Sequence, residues 1–398
     1  MVEIFIDTKE KSHICIVEDN ILTEYHIEED KKLLGNIYRA RVENILNGMD
    51  SAFVDIGEGR NAYLNLKDIL TRKECKSGVD YKIGDLIKSG DEILVQVVKE
   101  SYKEKGAKVT THLSFPGKFI VLTPYNLGIN VSKKIRNKKE IKRLKGIGNG
   151  LTNEIGIIFR TASYGIDEES IVKEYRELIN IFEDVKAQRN FLPTPKLIHK
   201  DRGLIYKIIR DRINDEVSIL VNSKDLYKEL IETGELEDYS LKDRIKLQED
   251  FRLEYNLIIQ KGLQNALNRR VNLKSGGYIV IDELEALTAI DVNTGKYIGG
   301  KSYEDTVLKT NLEACEEIAY QVKLRNLSGI IIIDFIDMDE EENVANILNM
   351  LNEAFENDKN KVNIIGMTKL GLVEITRQRT RPSLQSEIKN KCPSCGRK

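Results

Sequence analysis

Residues 277–295 read GYIVIDELEALTAIDVNTG, and residues 328–338 read SGIIIIDFIDM. Both segments have the alternating or continuous apolar pattern of β-strands. Side chains of an extended chain alternate between two faces, so Asp291 and Asn293 share one face of the first segment. The unbroken apolar run of the second segment predicts a strand that is buried on both faces, with Asp337 at its C-terminal end.

The segment between these strands, residues 304–325, has apolar side chains at the three- and four-residue spacing that predicts an amphipathic helix. Strand, helix and strand together form a βαβ unit, whose two strands are expected to be parallel neighbours. Ligands of such sheets bind beyond the carboxyl ends of the strands. Asp291 and Asp337 are therefore predicted to meet at one edge of the sheet.

These two carboxylates and the Asn293 amide form a ligand set that suits Mg²⁺, or Mn²⁺, and no cluster of His and Cys lies near them in sequence to favour zinc. A magnesium ion held by one or two carboxylates keeps several waters and usually contacts a phosphate. The alternative is that Asp291 caps a turn and Asp337 caps a helix that starts near Glu341. The spacing alone leaves both interpretations open.

The 398 residues are enough for two to four domains, and the charged fraction of 32% is high. The formal net charge is only −2, so nucleic-acid binding has to depend on local basic clusters. No apolar run is long enough for a membrane span, and the N-terminus MVEIFIDTKE has a strand pattern and not that of a signal peptide. We therefore expect a cytoplasmic protein without a disulfide framework, since three of its five cysteines are scattered.

Residues 35–115 contain five short strand-like segments with Gly turns, which predict a small closed barrel. Phe53 and Tyr63 lie on two of these strands, where exposed aromatic rings can stack on bases. The alternative is that Phe53 belongs to the barrel core, because one face of SAFVDIG has to be buried. Lys99 and Lys105 are candidates to pair with phosphates.

Residues 133–145 carry eight basic residues against the single acid Glu140. Such a run is either a solvated helix and loop or a surface that faces phosphates. Further on, the strand-like segment GIIFRTAS at 156–163 ends on Arg160 and Thr161, which offer a planar guanidinium fork and a hydroxyl donor to phosphate oxygens.

Residues 1–30 predict three short antiparallel strands, which need a packing partner from later in the chain. The mixed strand and helix pattern at 201–270 is the expected partner. Near the C-terminus, Arg377, Arg379 and Arg381 occupy alternate positions. If this segment is extended, the three side chains project from one face and can hold the phosphates of a nucleic-acid backbone, whereas in a helix they spread around it.

Cys392 and Cys395 form a C-x-x-C pair in CPSCGRK. The spacing suits a zinc site, but a structural zinc needs four ligands and the chain has no second pair of this kind. A redox pair is the alternative, although such pairs occur at helix starts of thioredoxin-like units. Two thiolates from each of two chains would complete the zinc shell.

Several of these segments resemble the ribonuclease E/G family in the same order and spacing. They are EALTAIDVNTG, NLEACEEIAYQVKLRNLSGIIIIDFIDM and TRQRTRPSL. The resemblance covers nearly the whole chain. It implies an α+β multidomain protein with these parts: a discontinuous ribonuclease-H-like structural domain (1–34 and 201–270), an S1-type OB barrel that binds RNA (35–116), a 5′-monophosphate sensor region (117–200), an α/β deoxyribonuclease-I-like catalytic domain (271–390) and a zinc-link (391–398).

The resemblance also implies roles for individual residues. Asp291 and Asp337 match magnesium ligands, and Asn293 matches a residue that orients the site. Residues that match RNA contacts and the 5′-phosphate pocket are Phe53, Tyr63, Lys105, Gly117, Val121, Arg160 and Thr161. The family often has Phe where this chain has Tyr63, a change that preserves stacking. Cys392 and Cys395 match thiolates that share Zn²⁺ between two chains, which implies a homodimer and leaves a homotetramer open.

The expected function is that of a magnesium-dependent endoribonuclease, which cleaves single-stranded RNA to 5′-phosphate and 3′-hydroxyl ends in RNA processing and decay. None of the four His residues lies in the catalytic stretch, which argues against a metal-free route with a His pair. The alternatives are a non-catalytic RNA-binding protein, with Asp291 and Asp337 as caps, and a nuclease that acts on DNA.

Overall fold

The computed structural model describes residues 1–9, 11–28, 32–69, 81–101, 106–152, 154–188, 193–212, 216–232, 243–295, 303–356 and 358–388. The chain divides into two compact units. The first comprises residues 1–29 and 214–398, and the second comprises residues 30–213. Within the described ranges, no helix has both the length and the apolar character that crossing a membrane requires.

One sheet of the first unit is built from five strands: β1 (Val2–Asp7), β2 (Ser12–Glu18), β3 (Ile21–Glu28), β14 (Val217–Val221) and β15 (Ile245–Leu247). Their order is β15-β14-β1-β2-β3. The first three strands are antiparallel, as predicted, and β1 gains a parallel partner in β14. Beside this sheet lie the helices α5 (Lys224–Glu232), α6 (Leu257–Leu267) and α9 (Leu384–Ile388).

The second sheet of this unit contains the stretch that opened the sequence analysis. Its six strands are β16 (Arg270–Asn272), β17 (Tyr278–Glu283), β18 (Leu287–Asn293), β19 (Gly329–Asp334), β20 (Val362–Met367) and β21 (Leu372–Arg377). The order is β16-β17-β18-β19-β21-β20, and β18 and β19 are the parallel pair. Helix α7 (Tyr303–Leu324) connects them and α8 (Glu341–Phe355) follows β19, so the predicted βαβ unit is confirmed.

Strand β19 differs from the prediction in its burial. Ile331 and Ile333 are fully buried in the core that α7 and α8 share with the sheet. Ile330, on the opposite face, is 49% exposed. The prediction of a strand buried on both faces is therefore wrong: a continuous β-branched run shows that a strand is favoured, but it does not show which of its faces another layer covers.

The end of β19 also differs from the prediction. The strand ends at Asp334, and Asp337 lies three residues beyond it. The buried side chain of Asn311, in α7, donates from Nδ2 to the carbonyl of Ile336 at 2.8 Å and accepts from its backbone N–H at 3.2 Å. Because this amide satisfies both backbone groups of Ile336, the chain leaves the sheet before Asp337.

In the second unit, five strands close the barrel that the sequence predicts: β4 (Ile37–Leu46), β5 (Ser51–Asp55), β6 (Ala62–Asn65), β7 (Glu92–Lys99) and β8 (Lys108–Thr110). They run in the order β4-β5-β6-β8-β7, and β4 also pairs with β7. The short helix α1 (Ile83–Leu86) precedes β7. A further strand, β13 (Lys196–His199), pairs with β4.

A smaller sheet follows the barrel in the same unit, with the order β11-β12-β10-β9. Its strands are β9 (Phe115–Pro116), β10 (Ile120–Thr123), β11 (Ile129–Val131) and β12 (Gly156–Phe159). The helices of this region are α2 (Lys138–Leu151), α3 (Glu168–Ala187) and α4 (Gly203–Arg212). Apolar side chains of the sheet, α2 and α3 form one core, which includes Leu122, Leu144, Phe159 and Phe182.

Candidate functional site

The parallel strands β18 and β19 bring two carboxylates together. Their register places Asp291 opposite Asp334, and both side chains are exposed. Each follows a buried residue, Ile290 and Ile333 respectively, so both project from the face that does not pack on α7 and α8. Asp291 and Asn293 share this face, as predicted, because Asn293 Nδ2 donates to Asp291 Oδ2 at 2.8 Å.

Asp334 is not among the residues predicted from the sequence, which favours Asp337 in its place. The difference follows from the strand boundary, because a strand that continues to residue 338 would put Asp337 at the carboxyl end. With β19 ending at Asp334, Asp334 occupies that position. The sequence signal that identifies it is the acid that directly follows the run of four isoleucines, which the register aligns with Asp291.

The carboxylates of this edge influence each other. Partial burial, followed by the negative charges of Asp291 and Asp337, raises the pKa of Asp334 above its usual range. Within the described part of the chain, no Lys or Arg forms an ion pair with any of the three. A bound cation would therefore relieve an electrostatic repulsion that the described residues leave uncompensated.

The available side chains fit a hard cation that takes only a few of its ligands from the protein. No group of three or more His, Cys, Asp or Glu side chains in the described ranges is arranged to hold a metal ion. The candidate ligands are the carboxylates of Asp291 and Asp334, from neighbouring strands, and the Asn293 amide is hydrogen-bonded to the first of them. Mg²⁺ is commonly bound by one or two carboxylates and completes its shell with water and substrate phosphate, whereas a structural zinc would need a closed set of four.

The three arginines predicted to face RNA do not act together. Arg377 is buried and forms a two-point ion pair with Asp358, at 2.9 and 3.1 Å. Arg381 is half-buried, and burial lowers the pKa of its guanidinium, which also contacts the His26 ring. Only Arg379 is exposed, with a 3.4 Å contact to a serine hydroxyl. The strand β21 ends at Arg377, so the three arginines do not lie in one strand, and the interpretation in which they project together from one face is wrong.

The barrel surface carries a row of aromatic and basic side chains. The register places Phe53 opposite Tyr63, Tyr63 opposite Lys108, and Lys108 opposite Lys99. The rings of Phe53 and Tyr63 lie edge to face, with their centroids 6.3 Å apart. Both are half-buried, whereas Ala52 beside Phe53 is buried in the barrel core. Phe53 therefore belongs to the outer face and not to the core.

Lys108 extends this row but is not among the residues predicted from the sequence. Its Nζ is 2.8 Å from the Asp68 carboxylate, and its side chain is 41% exposed. Lys99 is exposed at the end of β7. Lys105 lies outside the described residues, so its predicted RNA contact stays a prediction.

The predicted phosphate pocket is centred on Arg160, which follows the last residue of β12. Its Nη1 donates to the Gly117 carbonyl at 2.7 Å and to Asp211 Oδ1, in α4, at 2.8 Å. Thr161 is exposed, and its hydroxyl is 3.0 Å from that of Ser132. Half-buried Val121 lies in β10, beside β12. Arg160, Thr161 and Gly117 thus lie close together, as predicted.

Asp211 is a further charged group of this pocket, which the sequence does not single out. Burial opposes its ionisation, but the hydrogen bond from Arg160 and the charges of Arg210 and Arg160 lower its pKa below the usual range. The Gly117 loop is fixed from the other side by Glu174, whose carboxylate accepts hydrogen bonds from the N–H groups of three successive residues, 118–120. The Arg160 guanidinium is therefore held in one orientation, beside an acid.

Cys392 and Cys395 lie outside the described residues, so the zinc-link stays a prediction. Of the other cysteines, Cys15 and Cys315 are buried free thiols whose pKa is raised by burial. Such thiols are poor nucleophiles and poor metal ligands.

Comparison with known proteins identifies the family of the chain. Residues 114–380 match the model of the ribonuclease E/G family. The chain is 38% identical to ribonuclease G of Haemophilus influenzae, over 98% of this chain and 81% of that protein. It is 36% identical to ribonuclease G of Escherichia coli, with 98% and 82% coverage. Ribonuclease E of a Nostoc species is 34% identical over 96% of this chain and 56% of its own length.

Proposed function

Since the chain belongs to the ribonuclease E/G family and is an endoribonuclease of RNA processing, we propose that it cleaves single-stranded RNA with a divalent cation at the Asp291–Asp334 edge. The observation that carries this proposal is the register of β18 and β19, which places two carboxylates opposite each other without a cationic partner in the described residues. Asp337 contributes negative charge to the same edge. Mg²⁺ is the preferred ion, and Mn²⁺ has the same ligand preferences.

The protein groups hold and orient the reacting parts. Asn293 donates to one oxygen of Asp291 and leaves the other oxygen to face the cation. When bound, the ion lowers the pKa of a water ligand and neutralises charge on the phosphodiester. Attack of water on phosphorus would break the bond to the 3′-oxygen. The attacking water would give up a proton and the 3′-oxygen would take one up, which leaves 5′-phosphate and 3′-hydroxyl ends.

The barrel row supplies a surface for a single strand. Phe53 and Tyr63 offer ring faces to unpaired bases, and Lys99 and Lys108 offer charge to the phosphates. Stacking on an aromatic side chain contributes about 1–3 kcal/mol per base and requires that the base be unpaired. This surface therefore favours single-stranded RNA over a duplex.

The Arg160 pocket is proposed to bind a 5′-monophosphate and thereby to stimulate cleavage. A guanidinium whose orientation is already fixed by the Gly117 carbonyl loses little entropy when it binds a phosphate. Thr161 adds a hydroxyl donor. Asp211 sets a threshold, because an incoming dianion has to compete with this carboxylate for Arg160.

For assembly, we propose that the Cys392–Cys395 pairs of two chains share one Zn²⁺, which would make the homodimer the basic oligomer. The support is the ligand count, because a closed tetrahedral site needs four thiolates and each chain offers two in this motif. A homotetramer would require other contacts between two such dimers.

The decisive experiment is cleavage of a 5′-labelled single-stranded RNA with and without Mg²⁺, by wild type, Asp291→Asn and Asp334→Asn. Outer-shell partners of metal ligands already contribute about 10–100-fold, so loss of a direct ligand is expected to reduce the rate by more than about 100-fold. RNA affinity should stay within a few-fold. Asp337→Asn should lose about tenfold or less, and Asp225→Asn, in an exposed part of α5, serves as the matched control.

Three outcomes would change the assignment. Cleavage that persists in Asp334→Asn but not in Asp337→Asn would return the second ligand position to Asp337. RNA binding without cleavage by wild type at any Mg²⁺ concentration would support the non-catalytic alternative. Equal cleavage of matched DNA would show that the strand surface does not select RNA.

A further inference from the structure

The helix α2 carries an exposed basic face that the proposed function does not use. Lys138, Lys142 and Lys145 are exposed and follow one another at four- and three-residue spacing, so they lie on one face of the helix. The opposite face is formed by Leu144, Ile147 and Gly148, which are buried in the core. The basic face therefore points away from the fold.

These lysines have no acidic partner in the described residues. The nearby Glu140 has other partners. Its carboxylate accepts hydrogen bonds from Arg143, at 2.7 and 2.9 Å, and from the Gly165 backbone N–H at 2.9 Å. These bonds lower the pKa of Glu140 to about 2, led by the bond from Arg143. The positive charge of the basic face is thus left to an external anion.

The arrangement is unfavourable for the helix itself. Lys138 begins α2, next to the capping residue Asn137, whose side chain accepts from two backbone N–H groups. Cations near a helix N-terminus oppose the helix dipole. Lys138 and Lys142 are also like charges four residues apart, a pairing that destabilises helices. The stability of α2 therefore does not account for these charges.

Two exposed glycines of α2 provide an independent observation. Gly146 and Gly150 are exposed, and a Cβ added at either would meet no atom within 4 Å. Neither has a positive φ. By contrast, a Cβ at Gly148 would approach Ile129 to 2.7 Å, so only that glycine is required by packing. Glycine in a helix lowers its stability, and here it leaves the helix backbone open to close approach from outside.

An open cleft of about 560 Å³ adjoins this face. Its lining includes Lys139, Lys142 and Gly146 from α2, and Glu168 from the start of α3. The cleft is therefore basic on its α2 side and acidic at one end. An extended polyanion that follows α2 is accommodated better than a compact anion deep in the cleft, where it would meet the Glu168 carboxylate.

We propose that the α2 basic face, defined as Lys138, Lys142, Lys145 and Gly146, binds the sugar-phosphate backbone of the RNA substrate, away from the barrel surface. The charge complementarity is to the one polyanion on which this enzyme acts. The proposal rests on RNA being the substrate, but neither on the metal assignment nor on the Arg160 pocket. The face binds without reading sequence, since lysine ammonium groups contact phosphates and not base edges.

The test measures binding of a fluorescent single-stranded RNA with a 5′-hydroxyl, in EDTA, by anisotropy at several salt concentrations. Lys138→Gln, Lys142→Gln and Lys145→Gln are combined in one variant. For single strands each phosphate contact contributes a slope of about −0.7 in log K against log salt, so three contacts should reduce the slope by about 2. Affinity at 0.1 M salt should then fall by about 100-fold, with convergence near 1 M.

The matched control replaces Lys228, Lys246 and Lys361 by Gln, which are exposed lysines of the other unit. It changes net charge equally. Unchanged binding in the control, with weaker binding in the α2 variant, supports the proposal. An equal loss in both variants would show a net-charge effect, and unchanged binding in the α2 variant would show that the face is only solvated; either result overturns the proposal.

A second variant separates binding from folding. Gly146→Leu introduces a good helix former whose Cβ enters open space, so thermal stability should be equal to wild type or higher. If RNA approaches the backbone closely, affinity should nevertheless fall at least several-fold. Wild-type affinity in Gly146→Leu would contradict close approach. Cleavage of the same RNA after Mg²⁺ is restored reports on the catalytic assignment independently.

Discussion

Replacement of Arg377 tests whether this residue is an RNA contact or a core brace. Its side chain is 5% exposed and that of its partner, Asp358, is 1% exposed. Besides the two bonds to Asp358, Nη1 donates to the Leu327 carbonyl at 2.8 Å and to Asn326 Oδ1 at 3.1 Å. One guanidinium thus connects β21 to the turn after α7 and to the segment after α8.

The expected loss of stability follows from the groups that the substitution leaves without a partner. In Arg377→Met, the Asp358 carboxylate remains buried without its cation, and a buried ion pair broken on one side costs about 3–5 kcal/mol. Two further acceptors, at Asn326 and Leu327, lose a donor. We therefore expect the free energy of unfolding to fall by at least about 3 kcal/mol. In the exposed control Arg379→Gln, the change should stay within about 0.5 kcal/mol.

The assay is urea unfolding followed by far-UV circular dichroism, because the chain has no tryptophan to report by fluorescence. The double variant Arg377→Met with Asp358→Leu should recover much of the loss, since a buried pair replaced by apolar side chains is often neutral. RNA affinity of folded Arg377→Met should equal that of wild type. A variant with normal stability and weakened RNA binding would refute the structural role of Arg377.

Three further predictions concern the proposed binding sites. Arg160→Ala should slow cleavage of 5′-monophosphorylated RNA by about tenfold or more, as expected for loss of a charge-assisted bond, and spare 5′-hydroxyl RNA; equal slowing of both would make Arg160 a general backbone contact. Phe53→Ala should weaken single-strand binding by about 1–3 kcal/mol without lowering stability as a core cavity would; calorimetry and anisotropy separate the two effects. Cys392→Ser with Cys395→Ser should remove zinc and halve the mass in solution, measured by metal analysis and light scattering; an unchanged mass would exclude the zinc-link.

The parts of the fold that the sequence predicts correctly are those with a local cause. The helix α7 follows from its apolar spacing, and the parallel pairing of β18 and β19 follows from strand, helix and strand in succession. The shared face of Asp291 and Asn293 follows from two-residue alternation within one strand. Each of these features depends on side chains near one another in sequence, so the pattern contains the necessary information.

The errors have non-local causes. The end of β19 is set by Asn311, whose side chain reaches Ile336 from 25 residues earlier in the chain. Arg377 is buried because Asp358 lies in position to neutralise it, 19 residues away. The exposure of Ile330 depends on which side of the sheet α7 and α8 pack against. A single sequence shows the residue types in each case, but not the partner that decides the outcome.

Charged residues of the same type have different roles here according to their partners. Asp358 is buried and paired with Arg377, so it stabilises the fold and is unavailable to a ligand. Asp291 and Asp334 are exposed, face each other, and have no cationic partner in the described ranges. Uncompensated like charges destabilise the protein alone and are stabilised by an ion of opposite sign. The same reasoning separates Arg143, which is paired within α2, from the lysines of the α2 basic face. The criterion at both the cation site and the proposed RNA surface is a group of like charges that has no oppositely charged partner in the described residues.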